Sequence, residues 1–139
     1  MDFRAIDDGL SVSPQILPAD IPALAQHGFR AIICNRPDGE APDQPSFAEI
    51  REAAITAGLE CRYLPVTMDK LDDADVAGFT EALHSLQGPV LGYCRSGTRA
   101  ALLWSLSQIS QGADVAAVVK TTNGAGYNLS EALRKYTGR

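Results

Sequence analysis

Cys94-Arg95-Ser96-Gly97-Thr98-Arg99 holds the chain's most reactive combination of side chains: a thiol and a guanidinium five positions apart, with a glycine between them. Pro89-Val90-Leu91 before it reads as a buried strand. Ala100-Ala101-Leu102-Leu103-Trp104 after it continues only as a buried helix. A strand, a tight loop and a helix start aim several backbone N–H groups at one point, and the helix N-terminus adds partial positive charge there. Cys94, first in the loop, is thus predicted to sit where an anion is favoured, its own thiolate included. Arg99 can fold back and offer a two-pronged donor to an oxyanion or to sulfur, and Gly97 lets the backbone turn with no side chain in the cradle. This predicts a cysteine nucleophile in an anion-binding loop. The plainer alternative is a buried filler cysteine beside a solvated arginine.

The elements that must position this loop follow from pattern. Leu10–Ser13 reads as a strand ended by Pro14, and Ala19–Gln26 as a helix stopped by Gly28. Arg30–Cys34 is a buried strand. The loop from Asn35 to Pro45 contains three prolines and a glycine, long enough to imply a task. Ser46-Phe47-Ala48-Glu49 is a capping box opening a helix to about Ala57, with Gly58 as its stop. Glu60–Val66 is the next strand and Thr67–Leu71 a short loop. Asp72 or Asp73 caps a helix whose apolar face is Val76, Phe79, Leu83 and Leu86. The helix after the cysteine loop runs to about Ser110, and further helices are expected over Asp114–Thr121 and Leu129–Tyr136. Strands alternating with helices predict an α/β fold, a central and mostly parallel sheet flanked by helices, over a single domain, residues 1–139. In such sheets ligands bind beyond the strand C-termini. The loops at 35–45, 67–71 and 94–99 should therefore share one edge.

Composition narrows the partners. A chain of 139 residues with 45% hydrophobic and 21% charged residues is typical of soluble domains, and a net charge of −5 argues against nucleic acid or an anionic membrane as a general partner. Three cysteines do not form a disulfide framework, and no basic, apolar leader or long apolar stretch is evident, so a reducing, cytoplasmic setting is expected. His27 and His84 fall in helical patterns and the cysteines lie far apart, so neither a metal nor another cofactor is predicted.

Leu10–Ile16, Asn35-Arg36-Pro37-Asp38-Gly39-Glu40 and Tyr93–Arg99 together resemble the bacterial phosphatase-like domain of beta-lactamase hydrolase-like proteins, over nearly the whole chain. That domain occurs alone or fused to a persulfide dioxygenase of metallo-beta-lactamase type, which makes such an enzyme a candidate partner. The resemblance implies the fold of dual-specificity protein tyrosine phosphatases. It also implies that Asp69 stands where phosphatases of this fold carry the acid that protonates the leaving group; a plain loop or cap carboxylate is the alternative. The loop departs from the phosphatase pattern of His-Cys, five residues and Arg followed by Ser or Thr. Here four residues intervene, Tyr93 replaces the histidine, and Ala100 the hydroxyl residue. The six-residue span resembles the active loop of rhodanese-type sulfurtransferases.

Sulfur transfer through a Cys94 persulfide to a thiol acceptor is therefore the leading expectation, because it needs no general acid when the leaving group is stable. Phosphate-ester hydrolysis through a phosphocysteine, with Asp69 as acid, is the alternative. A non-catalytic anion- or redox-sensing module is the third. The ligand is thus expected to be a small sulfur-containing or phosphate-containing anion. Arg95, Ser96, Gly97 and Thr98 are expected to contribute to anion binding, although Ser96 and Thr98 could instead cap the helix and Arg95 face solvent. Arg36, Asp38 and Glu40 could line the rim or form a solvated turn. Cys34, at a strand end on the same edge, could resolve Cys94 as a disulfide or simply close a buried strand.

Overall fold

In a computed structural model, residues 2–137 are described. Five strands form one sheet: β1 (Arg4–Ala5), β2 (Leu10–Ser13), β3 (Ala31–Cys34), β4 (Glu60–Tyr63) and β5 (Val90–Tyr93), in spatial order β1-β2-β5-β3-β4. β1 runs antiparallel to β2, and every other pairing is parallel. The central strand β5 pairs with β2 and β3, so Tyr93, Ser13 and Cys34 lie in register at the same sheet edge.

Side-chain alternation splits the core in two. Ile32, Cys34, Leu91 and Tyr93 face α1 (Ile21–His27) and α2 (Phe47–Ala57), with Ile21, Leu24, Ile50 and Ala54 opposite them. Leu10, Val12, Ala31, Ile33 and Val90 face the other side, which is covered by α3 (Asp73–Ser85), α4 (Thr98–Ser110), α5 (Val115–Gly124) and α6 (Ser130–Thr137). The expected layers are therefore present. α4 is buried from Ala100 to Ser107, and its hydroxyls are satisfied: Ser105 donates to the Ala101 carbonyl and Ser107 shares a hydrogen bond with Thr80. Its start lies close on β5, because a Cβ on Gly92 would stand 3.4 Å from that of Ala100.

The local signals hold and the boundaries shift. Ser46 accepts from the Glu49 N–H at 3.2 Å, Asp72 accepts from the Asp75 N–H at 3.0 Å, and Gly28 and Gly58 close their helices at positive φ. β4 stops at Tyr63 rather than Val66. Pro65 has no N–H to donate, yet Leu64 and Val66 still bond the Cys34 and Asn35 carbonyls at 2.8 and 3.1 Å. β1 was not anticipated; two residues are too few to show a period. The first helix begins as a 3₁₀ turn at Pro18–Asp20, and α5 runs three residues past Thr121, to Gly124. On α3 it is Ala82 that is buried with Val76 and Phe79, while Leu83 is half-buried.

Phe79 is fully buried between α3 and the sheet. Phe79→Ala should lower unfolding free energy by about 3–5 kcal/mol, measured by denaturant titration; a loss under about 1 kcal/mol would mean this face does not carry the core.

Candidate active site

β5 delivers Cys94 to the C-terminal edge of the sheet, where it is fully buried. The loop then turns at Gly97 (φ 94°), whose N–H donates to the Cys94 Sγ at 3.1 Å. Ser96 donates its hydroxyl to Thr98 Oγ1 at 2.9 Å and accepts weakly from the Thr98 N–H at 3.4 Å, while the N-cap of α4 is Gly97, with no side-chain cap. Arg95 is exposed, and its carbonyl accepts from the Gln15 N–H at 3.2 Å, tying the loop to the end of β2.

Arg99 folds back as the sequence predicts, onto partners the sequence does not reveal. Nη1 donates to Glu40 Oε2 at 2.7 Å and to the Val66 carbonyl at 3.0 Å, and Nη2 donates to Glu40 Oε1 at 2.8 Å. Three of the guanidinium's five N–H groups are thereby used, leaving one on Nε and one on Nη2 as a paired edge for an anion. Glu40 also accepts from Arg36 Nε at 3.0 Å. Arg99, then partial burial, then Arg36 act on this carboxyl, and the net effect holds it well below the ordinary range, at about 2. The same pairing, opposed by desolvation and supported by Cys94, raises Arg99 above its ordinary value.

The 35–45 loop is organised to present Glu40. Asp38 accepts from the Phe47 N–H at 2.8 Å, and its own N–H donates to the Tyr63 hydroxyl at 2.9 Å. Gln44 bonds both the Glu40 N–H and the Pro37 carbonyl. Phe47 stacks on Tyr63 with centroids 4.8 Å apart. Arg36 is not on an open rim: it is 5% exposed, with Nη1 bonded to Gln15 Oε1 at 3.0 Å. Its bonds to Gln15 and Glu40 turn it inward, so it holds Glu40 instead of facing solvent. Cys34 is buried and donates to the Arg36 carbonyl at 3.3 Å. Burial pushes its thiol up, which keeps it protonated and a weak attacker on sulfur. Tyr93 is buried beside it, and its phenol is pushed far up, by burial first and then by the Cys34 thiol.

Asp69 is exposed on the 67–71 loop and lines one groove together with Thr98 of the cysteine loop. The expected three loops therefore do converge. Sequence reasoning missed Tyr127, whose hydroxyl donates to the Ser96 carbonyl at 3.1 Å and whose ring lies against Gly97. A Cβ on Gly97 would run into that ring. Burial, then the charge of Cys94, raises the Tyr127 phenol. Its signal was faint: an aromatic following the glycines at 124 and 126. Asn35 was missed too. It is fully buried, donates to the Leu64 carbonyl at 2.9 Å, and ties the end of β3 to the segment that follows β4. Among the described residues no group of three or more His, Cys, Asp or Glu is placed to hold a metal ion, and no helix is long and apolar enough to cross a membrane.

Known proteins resemble this chain in sequence and in fold. The family model for the phosphatase-like domain of beta-lactamase hydrolase-like protein matches residues 2–111. A beta-lactamase hydrolase-like protein of Agrobacterium fabrum is 36% identical over 107 residues, which are 77% of this chain and 25% of that protein; the chain thus spans about a quarter of the length of such curated relatives. The crystal structure of a candidate phosphatase from Neisseria meningitidis is 37% identical and superposes with a TM-score of 0.89, over 100% of this chain and 99% of its own. TpbA of Pseudomonas aeruginosa, solved in complex with phosphotyrosine, has a TM-score of 0.72 at 20% identity, covering 96% of this chain and 81% of its own, a likeness of fold. The chain belongs to the family of beta-lactamase hydrolase-like protein phosphatase-like domains, and its fold is that of the protein tyrosine phosphatase-like enzymes.

Because Glu40 is held below its ordinary value of 4.5, its contribution to stability is complete above that pH and is lost as pH falls towards about 2. The melting-temperature advantage of the native chain over Glu40→Gln should therefore be constant from pH 7 to 5 and shrink from pH 4 to 3, followed by circular dichroism. A gap that ignores pH across this range would mean the Arg99–Glu40 pair is not formed in solution.

Proposed function

We propose that this chain is a cysteine-dependent hydrolase of phosphate monoesters. The observation that carries the reading is the anion site itself: a buried thiol at the floor of a strand-to-helix loop, a Gly97 N–H aimed at its sulfur, and an Arg99 fork oriented by Glu40 with two donors left over. In this mechanism the Cys94 thiolate attacks phosphorus, the ester P–O bond breaks, and Asp69 gives its proton to the departing oxygen. Water then attacks the phosphocysteine, Asp69 takes up a proton, and inorganic phosphate leaves as the thiolate is restored. Arg99 and the loop N–H groups stabilise the equatorial oxygens in both steps. Ser96 and Thr98 shape the cradle through their mutual hydroxyl bond, and Arg95 adds positive field from the exposed side. Family membership supports this reading, as does the phosphotyrosine complex of a protein sharing the fold.

The weight thereby moves from the sulfur transfer the loop alone suggested to the hydrolase the sequence offered as its alternative. Asp69 shares a groove wall with Thr98, and a sulfurtransferase has no use for an acid there. Sulfur transfer remains a second reading on one observation: four residues between Cys94 and Arg99 close a small ring that suits a single persulfide sulfur.

Three variants and one assay separate the two. Cys94→Ser should abolish phosphate release from aryl phosphates with the fold retained. Arg99→Lys should cut kcat/KM by about 100-fold, since it keeps the charge and loses the fork. Asp69→Asn should lower kcat by about 10²–10³ for esters with a poor leaving group and far less for 4-nitrophenyl phosphate. Mass spectrometry after incubation with thiosulfate reads the rival: one added sulfur on the Cys94 peptide, without phosphate release from any ester, would replace hydrolysis with sulfur transfer.

A further inference from the structure

A groove of about 670 Å³ opens beside the cysteine loop, between the 67–71 loop, the first turns of α4, and α6. Its volume is that of a small-molecule site. We propose that it is the subsite for the organic group esterified to the phosphate, and that it takes an uncharged, apolar group about the size of a two-ring aromatic. The proposal rests on the hydrolase reading and adds to it the substrate class and the residues that select it.

Position, lining and charge each point there. Thr98 belongs to the cysteine loop and Asp69 is the proposed acid, and both line the groove, so a phosphate seated over Cys94 directs its ester oxygen towards this wall. The surface beyond is built from Met68, Leu71, Leu102, Leu129, Ala132 and Tyr136. Met68 is 50% exposed on the groove wall, and its flexible thioether side chain is suited to closing on a flat partner. Three ionisable groups edge the groove, Asp69, Glu131 and Lys135; with Asp69 protonated as the acid, Glu131 and Lys135 balance, so the rim offers no net positive charge to a second anionic group on the substrate. Polyphosphates and nucleotides therefore gain nothing from this wall.

The wall is held in place before any ligand arrives. Tyr136 on α6 donates to Asp73 at the start of α3, and Leu129 and Leu133 anchor α6 in the core. Arg4 of β1 donates to the Ala125 carbonyl at 3.3 Å, and two residues on Tyr127 clasps the cysteine loop through Ser96. The segment from 125 to 137 therefore supports the loop with one residue and forms the groove with the next helix. It lies beyond residues 2–111, the part of the chain matched by the family model, and it completes a groove whose other wall, Met68 to Leu71 with Thr98 and Leu102, lies within that part.

Binding of phosphonates, which cannot be hydrolysed, tests the groove independently of the chemistry. The unmodified chain should bind 2-naphthylmethylphosphonate at least about tenfold more tightly than methylphosphonate by calorimetry, about 1.4 kcal/mol. Ala132→Trp, which fills the groove, should bring that ratio close to one. Met68→Asp, on an exposed loop position, should do the same and guards against a folding defect in the first variant. In turnover, both variants should raise KM for 2-naphthyl phosphate well above any change for ethyl phosphate. Equal affinity of the unmodified chain for the two phosphonates, or a naphthyl preference that survives both variants, overturns the subsite. A naphthyl preference that is lost in the variants while no ester is hydrolysed upholds the subsite and overturns the hydrolase.

Discussion

One guanidinium joins the ends of the parallel strands. Arg99, just beyond β5, donates to Glu40 beyond β3 and to the carbonyl of Val66 beyond β4. Glu40 accepts in turn from Arg36, which reaches Gln15 beyond β2, and the Gln15 N–H returns to the Arg95 carbonyl in the cysteine loop. An exposed ion pair would be worth about 0–1 kcal/mol and could not organise anything. This one is bidentate, its partners' side chains are only 12% and 27% exposed, and it is extended by a second arginine. Its consequence is orientation. With one edge of Arg99 fixed on Glu40, the other edge can point only one way, and the loop is built around that direction.

The loop itself depends on two close approaches that small residues permit. Gly92 lets α4 start against β5, and Gly97 lets the phenol end of Tyr127 approach the turn. The first fixes where the helix N-terminus stands, and so where its partial charge falls. The second holds the turn through the Ser96 carbonyl. Cys94 is left buried at the base, reached by a backbone N–H at 3.1 Å and bordered by aromatic and apolar walls. Low exposure strengthens each of these polar contacts.

What could be read from the sequence was what is local. The Cys94–Arg99 loop, the Ser46 and Asp72 caps, and the glycine stops at 28 and 58 are decided within a few residues, and the structure has them in place. The convergence of three loops followed from a rule about parallel sheets. The Arg99–Glu40 pair did not, because it joins positions 59 apart and exists only when β5 lies between β2 and β3. The inward turn of Arg36 is hidden for a like reason: its neighbours Pro37, Asp38 and Gly39 read as a solvated turn, while its second partner, Gln15, comes from 21 residues away and Glu40 is itself held by the distant Arg99. Tyr127 is 31 residues from the carbonyl it bonds, behind a glycine-rich stretch that carries no pattern of its own.

Loop length alone sizes the anion site by its N–H ring, which is why the loop favours sulfur transfer. The structure adds donors that loop length does not count, since Arg99 carries Nε and Nη2 hydrogens beyond those it spends on Glu40 and Val66. On the proposed hydrolase reading, that open arginine side is where the oxygens of a tetrahedral group extend past a small ring. Charge agrees with this. Arg36 and Arg99 share the single carboxylate of Glu40, leaving one positive charge in the clamp of a chain whose net charge is −5. A locally positive, partly desolvated pocket in an otherwise acidic surface draws in a small anion and repels an extended one. Such a site selects by the charge that lies outside the cradle as much as by the group held inside it.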